Sequence, residues 1–111
     1  MKLLRLVLIV FALGFSTHSN AVTVAGDIPC ATWGKHYDKQ TSETRWETIA
    51  EKFWLNGYLS GVAVSLDKDL LKNTTLDSRS LWMDNYCRSN PLSAISEGAD
   101  ALAKELIQKM H

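Results

Sequence analysis

Cys30 and Cys87 are the only two cysteines in a chain of 111 residues, and they stand 57 positions apart. What they do depends on the compartment, and the N-terminus bears on that. Lys2 and Arg5 make a short positive region, followed by the apolar run Leu6 to Phe15, interrupted only by Gly14. A polar stretch then ends with Ser19 and Ala21, small residues at the −3 and −1 positions of a cut. That is the layout of a secretory signal peptide, and the apolar run falls well short of the ~20 residues that span a bilayer. The sequence therefore predicts a leader over residues 1–21 and a mature chain from Val22, with cleavage after Ala25 as the second choice. An even cysteine count in a short exported chain reads as one disulfide. Closing so long a loop stabilises a fold by roughly 4 kcal/mol in the chain-entropy model, comparable to the whole stability of a small domain.

About 90 residues make one small domain, residues 22–111. The full chain balances 12 Lys and Arg against 12 Asp and Glu. Removing the leader with Lys2 and Arg5 leaves 10 against 12, a net charge of −2. No basic cluster or nucleic-acid motif is present, so nucleic-acid binding is not expected. After cleavage no long apolar segment remains to hold the chain in a membrane.

Apolar spacing of the i, i+3, i+4 kind runs from Trp46 through Ile49, Phe53, Trp54, Tyr58 and Val62, and predicts a helix ending near Leu66. Ser42 is its expected N-cap. Gly57 and Gly61, four apart, each cost up to ~1 kcal/mol relative to alanine. They are read as sites of helix packing, where missing side chains admit a second helix; a ligand pressed on bare backbone is the alternative. A turn of helix is expected after Pro29, limited by Gly34. A further helix is expected over "LDSRSLWMDNYCRSN", capped by Asp77 or Ser78. Asn90-Pro91 should end it, with Asn90 capping a last helix that starts at Pro91. Leu92, Ile95, Ala99, Leu102, Leu106 and Met110 mark the apolar face of that helix. The fold class is all-α, a small three- to four-helix domain stapled by one disulfide.

Candidate chemistry is sparse. A cysteine nucleophile needs a histidine base, and the mature chain offers only His36 and the terminal His111. Cys30, His36 and Cys87 lack the paired spacing of a zinc site and a fourth ligand. No enzyme activity, metal or cofactor is expected. Four tryptophans are many for such a chain. Trp46 and Trp54, eight apart on one helix, read as core. Trp33, Trp54, Tyr58 and Trp82 are the candidates for an aromatic surface that binds a protein partner.

The early cysteine in "PCATW", the aromatic helix "FWLNGYLSG" and the element "WMDNYCRSNPLSAI" before a terminal amphipathic helix together form a recognisable framework. The chain resembles the HdeA/HdeB family of small periplasmic acid-stress chaperones, most closely at Tyr86, Cys87, Asn90 and Pro91. The resemblance implies a periplasmic helical protein that exposes apolar helices at low pH to hold unfolding clients. Charge is compatible with this: with its carboxylates neutral, the mature chain reaches about +12. The rival expectation is a periplasmic immunity protein that binds one partner, such as a type VI secretion effector, through a preformed surface. The partner is a protein in both cases, and self-association as a homodimer is a further expectation.

Overall fold

A computed structural model of the chain describes residues 22–35 and 42–110. The expected leader, His36 and His111 lie outside the described residues, as does the side chain of Ser42. Three helices are present among them: α1 (Ser42–Leu66), α2 (Leu76–Ser89) and α3 (Ile95–Lys109). Among the described residues no strand accompanies them, and the one sheet-like contact is an isolated antiparallel bridge between Pro29 and Ala94. The domain is all-α, and Cys30 and Cys87 are bonded to one another.

The end of α1 is a turn problem solved without glycine. Asp67 adopts φ 51°, and Lys68 N–H reaches back to the carbonyl of Ala63 at 3.0 Å. This closes the helix as a left-handed residue after a C-terminus does. The loop that follows buries Leu70.

α2 begins earlier than the sequence reading placed it. Its cap is Thr75, whose hydroxyl accepts from Ser78 N–H at 3.0 Å while Ser78 Oγ accepts from Thr75 N–H at 2.9 Å. This capping box makes Ser78 the inner partner and leaves Asp77 in the first turn, where a negative charge suits the helix dipole.

The corner after α2 also differs. Asn90 closes α2 rather than opening α3: its backbone N–H and its side-chain amide both donate to the Tyr86 carbonyl, each at 2.9 Å. Residues 91–94 are then held by the segment before Cys30. Cys30 N–H donates to the Ser93 carbonyl at 2.8 Å and Ile95 N–H to the Ile28 carbonyl at 2.9 Å. Those two bonds require extended backbone at Ala94, so the helix starts at Ile95 and not at Pro91. Leu92, expected on the apolar face, is fully exposed on this corner.

The start of α3 is completed from far away in sequence. Ala94 has no side-chain oxygen to cap with, although Glu97 reaches back to its N–H. Asp27 substitutes, accepting from Ser96 N–H at 3.0 Å and Ser96 Oγ at 2.6 Å. A carboxylate 69 residues upstream thus does the work of an N-cap.

α3 packs against both other helices. Its Ile95, Ala99, Leu102, Ala103 and Leu106 are buried with Leu55 and Leu59 of α1 and Met83 of α2. Close approach of α2 and α3 depends on Gly98. A methyl group there would lie 2.6 Å from Met83 Sδ and 2.8 Å from Tyr86 Cδ1.

Candidate protein-interaction surface

Both cysteine sulfurs are committed to the disulfide, with Cα atoms 4.9 Å apart, so neither is available as a nucleophile or a metal ligand. Among the described residues no group of three or more His, Cys, Asp and Glu side chains is placed to hold a metal, and no helix is long and apolar enough to cross a membrane. The functional question becomes one of surfaces.

The four aromatics expected to form an exposed patch do not form one. Trp33 is buried in the core beside the disulfide, and its indole N–H donates to Asp84 Oδ1 at 2.7 Å. The turn after Pro29 puts it there: Thr32 and Trp33 N–H both bond the Pro29 carbonyl, and Gly34 ends the turn at φ 76°. Trp82 is half-buried and stacked on Tyr86 at 5.4 Å, with its indole N–H on Glu105 Oε2 at 2.9 Å. Lys109 bonds the other oxygen of Glu105 at 2.7 Å. Lys109 first, and then Trp82, hold the Glu105 carboxyl below its ordinary range.

Trp54 and Tyr58 form the second pair, stacked at 5.2 Å along α1. The Trp54 indole N–H donates to the Ala25 carbonyl at 2.8 Å, and Gly26 crosses the ring so closely that a Cβ would sit 2.8 Å from it. Gly26 also has φ 75°, so two constraints require glycine there. Tyr58 OH donates to Asp100 Oδ1 at 2.8 Å. Burial, then the bond to Asp100, pushes the phenol up to about 12. These rings are the joints between α1, the segment before Cys30, and α3.

The exposed apolar surface lies elsewhere on the same helix. Trp46 is 71% exposed, Phe53 62% and Val64 81%. With Ala50, Gly57 and Ser60 they fall at alternating spacings of four and three, which makes one stripe along α1. Trp46 is therefore not core. Eight residues at 100° each leave Trp46 and Trp54 about 80° apart around the axis, so only the second reaches the inner side. Gly57 and Gly61 are corrected in the same way. Both are exposed, and a Cβ on either would meet nothing within 4 Å, so no helix of this chain among the described residues uses the space they leave. The spacing that betrays this stripe is present in the sequence. It was hidden because the inner stripe, Leu55, Leu59 and Val62, is apolar too.

Two concavities flank the stripe. One lies between α1 and the segment before Cys30, lined by Ile28, Ala50, Trp54 and Ile95 among others, and is almost wholly apolar. The other lies where α1 meets its C-terminal loop, lined by Ser60, Ala63, Val64, Lys68 and Leu71 among others. Compared with known family models, curated proteins and solved structures, the chain matches none.

Proposed function

We propose that this chain is a non-catalytic, exported protein that binds other proteins, an HdeA-like acid-stress chaperone whose apolar helices become available as the fold loosens at low pH. The observation that carries the reading is the chemistry of its tertiary joints. Trp33 is held by Asp84, Trp82 by Glu105, Tyr58 by Asp100 and Ser96 by Asp27. Each of these inter-element links rests on a carboxylate acceptor, and hydrogen bonds to ionised carboxylates are about twice as strong as neutral ones. For Glu105 the sign is explicit. A carboxyl held low in the fold stabilises it above the unfolded pKa, and that contribution is lost as pH falls through the folded pKa. The mature chain simultaneously moves toward about +12, and self-repulsion favours opening. The disulfide keeps the opened chain compact.

Circular dichroism with client light scattering from pH 7 to 2, on oxidised and reduced protein, tests this. Acid opening with protection of a client is the expected result. A protein that stays fully folded in acid and leaves client aggregation unchanged ends the proposal. The second reading, a periplasmic immunity protein with a preformed surface, is favoured by the α1 stripe, which is exposed without any acid opening. Capture of one stoichiometric partner at neutral pH, lost on Trp46→Ala, with no acid-dependent activity, would select it.

A further inference from the structure

The concavity between α1 and the segment before Cys30 joins apolar walls to two carboxylates. Its volume is about 340 Å³, and Ile28, Ile95 and one face of α1 line it. On α1 the lining residues are Glu47, Ala50, Glu51 and Trp54, at i, i+3, i+4 and i+7, which is one continuous face. That face changes character along its length, from two acids one turn apart to an indole. The walls are held from behind. Trp54 N–H is bonded to the Ala25 carbonyl, Ile95 N–H to the Ile28 carbonyl, and Gly34 N–H to Glu51 Oε2 at 3.3 Å. Walls fixed in this way need no reordering to receive a ligand, which lowers the cost of binding.

Charge selects the occupant. Glu47 and Glu51 line the concavity, and no Lys, Arg or His stands among the described residues that do. Lys52, the next residue on the helix, holds its ammonium 4.0 Å from Asp77 of α2. Each carboxylate keeps its charge while accepting bonds within the chain, as Glu51 does from Gly34. An anionic ligand is repelled, and a neutral apolar one strips water from the acids without replacing it. We propose that the concavity binds a small organic cation with an apolar body, an arylalkylammonium. Its ammonium lies between Glu47 and Glu51, and its ring rests against Trp54, Ile28 and Ile95. An ammonium has three donors, and the Cβ atoms of residues four apart on a helix lie about 5–6 Å from one another, so one cation serves both acids. Glu47 and Trp54 are separated by about 10 Å of helix rise, the reach of a ring carried on a two-carbon chain. The ring gains an aromatic contact with the indole beyond its burial.

The site goes beyond the functional reading and is tested apart from it, at neutral pH and without a client. Phenethylammonium is titrated into the exported, oxidised protein and followed by proton–nitrogen correlation spectra. One saturable set of shifts is expected at Gly26, Ile28, Ala50 and the Trp54 indole N–H, with a Kd on the order of 1 mM for so small a ligand. Phenylethanol and phenylpropionate keep the ring and change the charge, and should bind at least ~10-fold more weakly. Methylammonium, which keeps the charge and lacks the ring, should do the same. Glu47→Gln combined with Glu51→Gln should weaken phenethylammonium by a similar factor with unchanged helical signal. Ala50→Leu, which fills the concavity and keeps both charges, should remove the shifts. Should the double variant lose its fold, the ligand series on wild type decides alone. Absence of saturable shifts at up to about 20 mM, well above that Kd, overturns the site. Equal binding of the alcohol, the carboxylate or methylammonium overturns it too. Tighter binding of a lysine-bearing peptide at the same residues assigns the concavity to a protein partner and overturns it as well.

Discussion

The inner and outer faces of α1 are built from similar residue types and have opposite fates. Leu55 and Leu59 are buried against α3, while Trp54 and Tyr58 are fixed by the Ala25 carbonyl and by Asp100. One step around the helix, Trp46, Phe53 and Val64 face outward with glycines between them. What separates the faces is the location of partners. The inner face meets α3 and the segment delivered by the staple at Cys30; the outer face meets nothing within the described residues at its glycines. Apolar character alone does not assign a helix face to the interior.

The staple is the strongest way to break that contrast. Cys87→Ser frees the segment around Cys30 that seats Trp33 beside the core and carries Asp27 to α3, so both faces of α1 should become accessible. The chain-entropy model sets the loss at roughly 4 kcal/mol. Urea unfolding of the oxidised wild type against the variant measures it, and a variant with an unchanged midpoint would show the staple to be incidental.

Glycine substitutions compare an inward position with outward ones directly. Gly98→Ala forces a methyl against Met83 and Tyr86 and should cost about 1–3 kcal/mol. Gly61→Ala adds the same methyl in open space and should raise monomer stability by up to ~1 kcal/mol. Thermal melts at dilute concentration read both. Equal signs would contradict the assignment of the two faces.

Asp27→Ala sharpens the role of the segment before Cys30. It removes the carboxylate that caps α3 through Ser96 and should cost about 0.5–2 kcal/mol, as loss of an N-cap does. Amide exchange at Ser96 should accelerate more than at residues of α1; protection unchanged at Ser96 would deny Asp27 its capping role.

The smallest effect expected is at Glu105, a partly exposed group. Wild type should be more stable than Glu105→Gln at neutral pH, and the gap should close as pH falls through the carboxylate range, because the lowered pKa stabilises only the ionised state. Denaturant midpoints at pH 7 and pH 3 test the sign. A gap that widens in acid would show that the bonds from Lys109 and Trp82 do not favour the charged form.

The disulfide, the helical class, the end of α1 at Leu66 and the buried stripe Ile95, Ala99, Leu102 and Leu106 were all legible from sequence. Each rests on local periodicity or on a cysteine count that admits one pairing. The starts of α2 and α3 were less so. Thr75 competes with nearby polar residues for the capping role, and the start at Ile95 is imposed by bonds from Ile28 and Cys30. Trp33 carries no local signal of burial, since only the turn at Pro29 and the link to Cys87 bring it beside Asp84.

By itself, then, the sequence determined that this chain is helical and cross-linked, because hydrogen-bonded helices and a two-cysteine framework depend on short-range spacing and composition. Tertiary structure alone decided which glycine is a contact, which tryptophan is a joint and which face of α1 stays exposed. Those properties depend on what the rest of the chain brings within a few ångströms, and the bond between Cys30 and Cys87 is one of the links that brings it there.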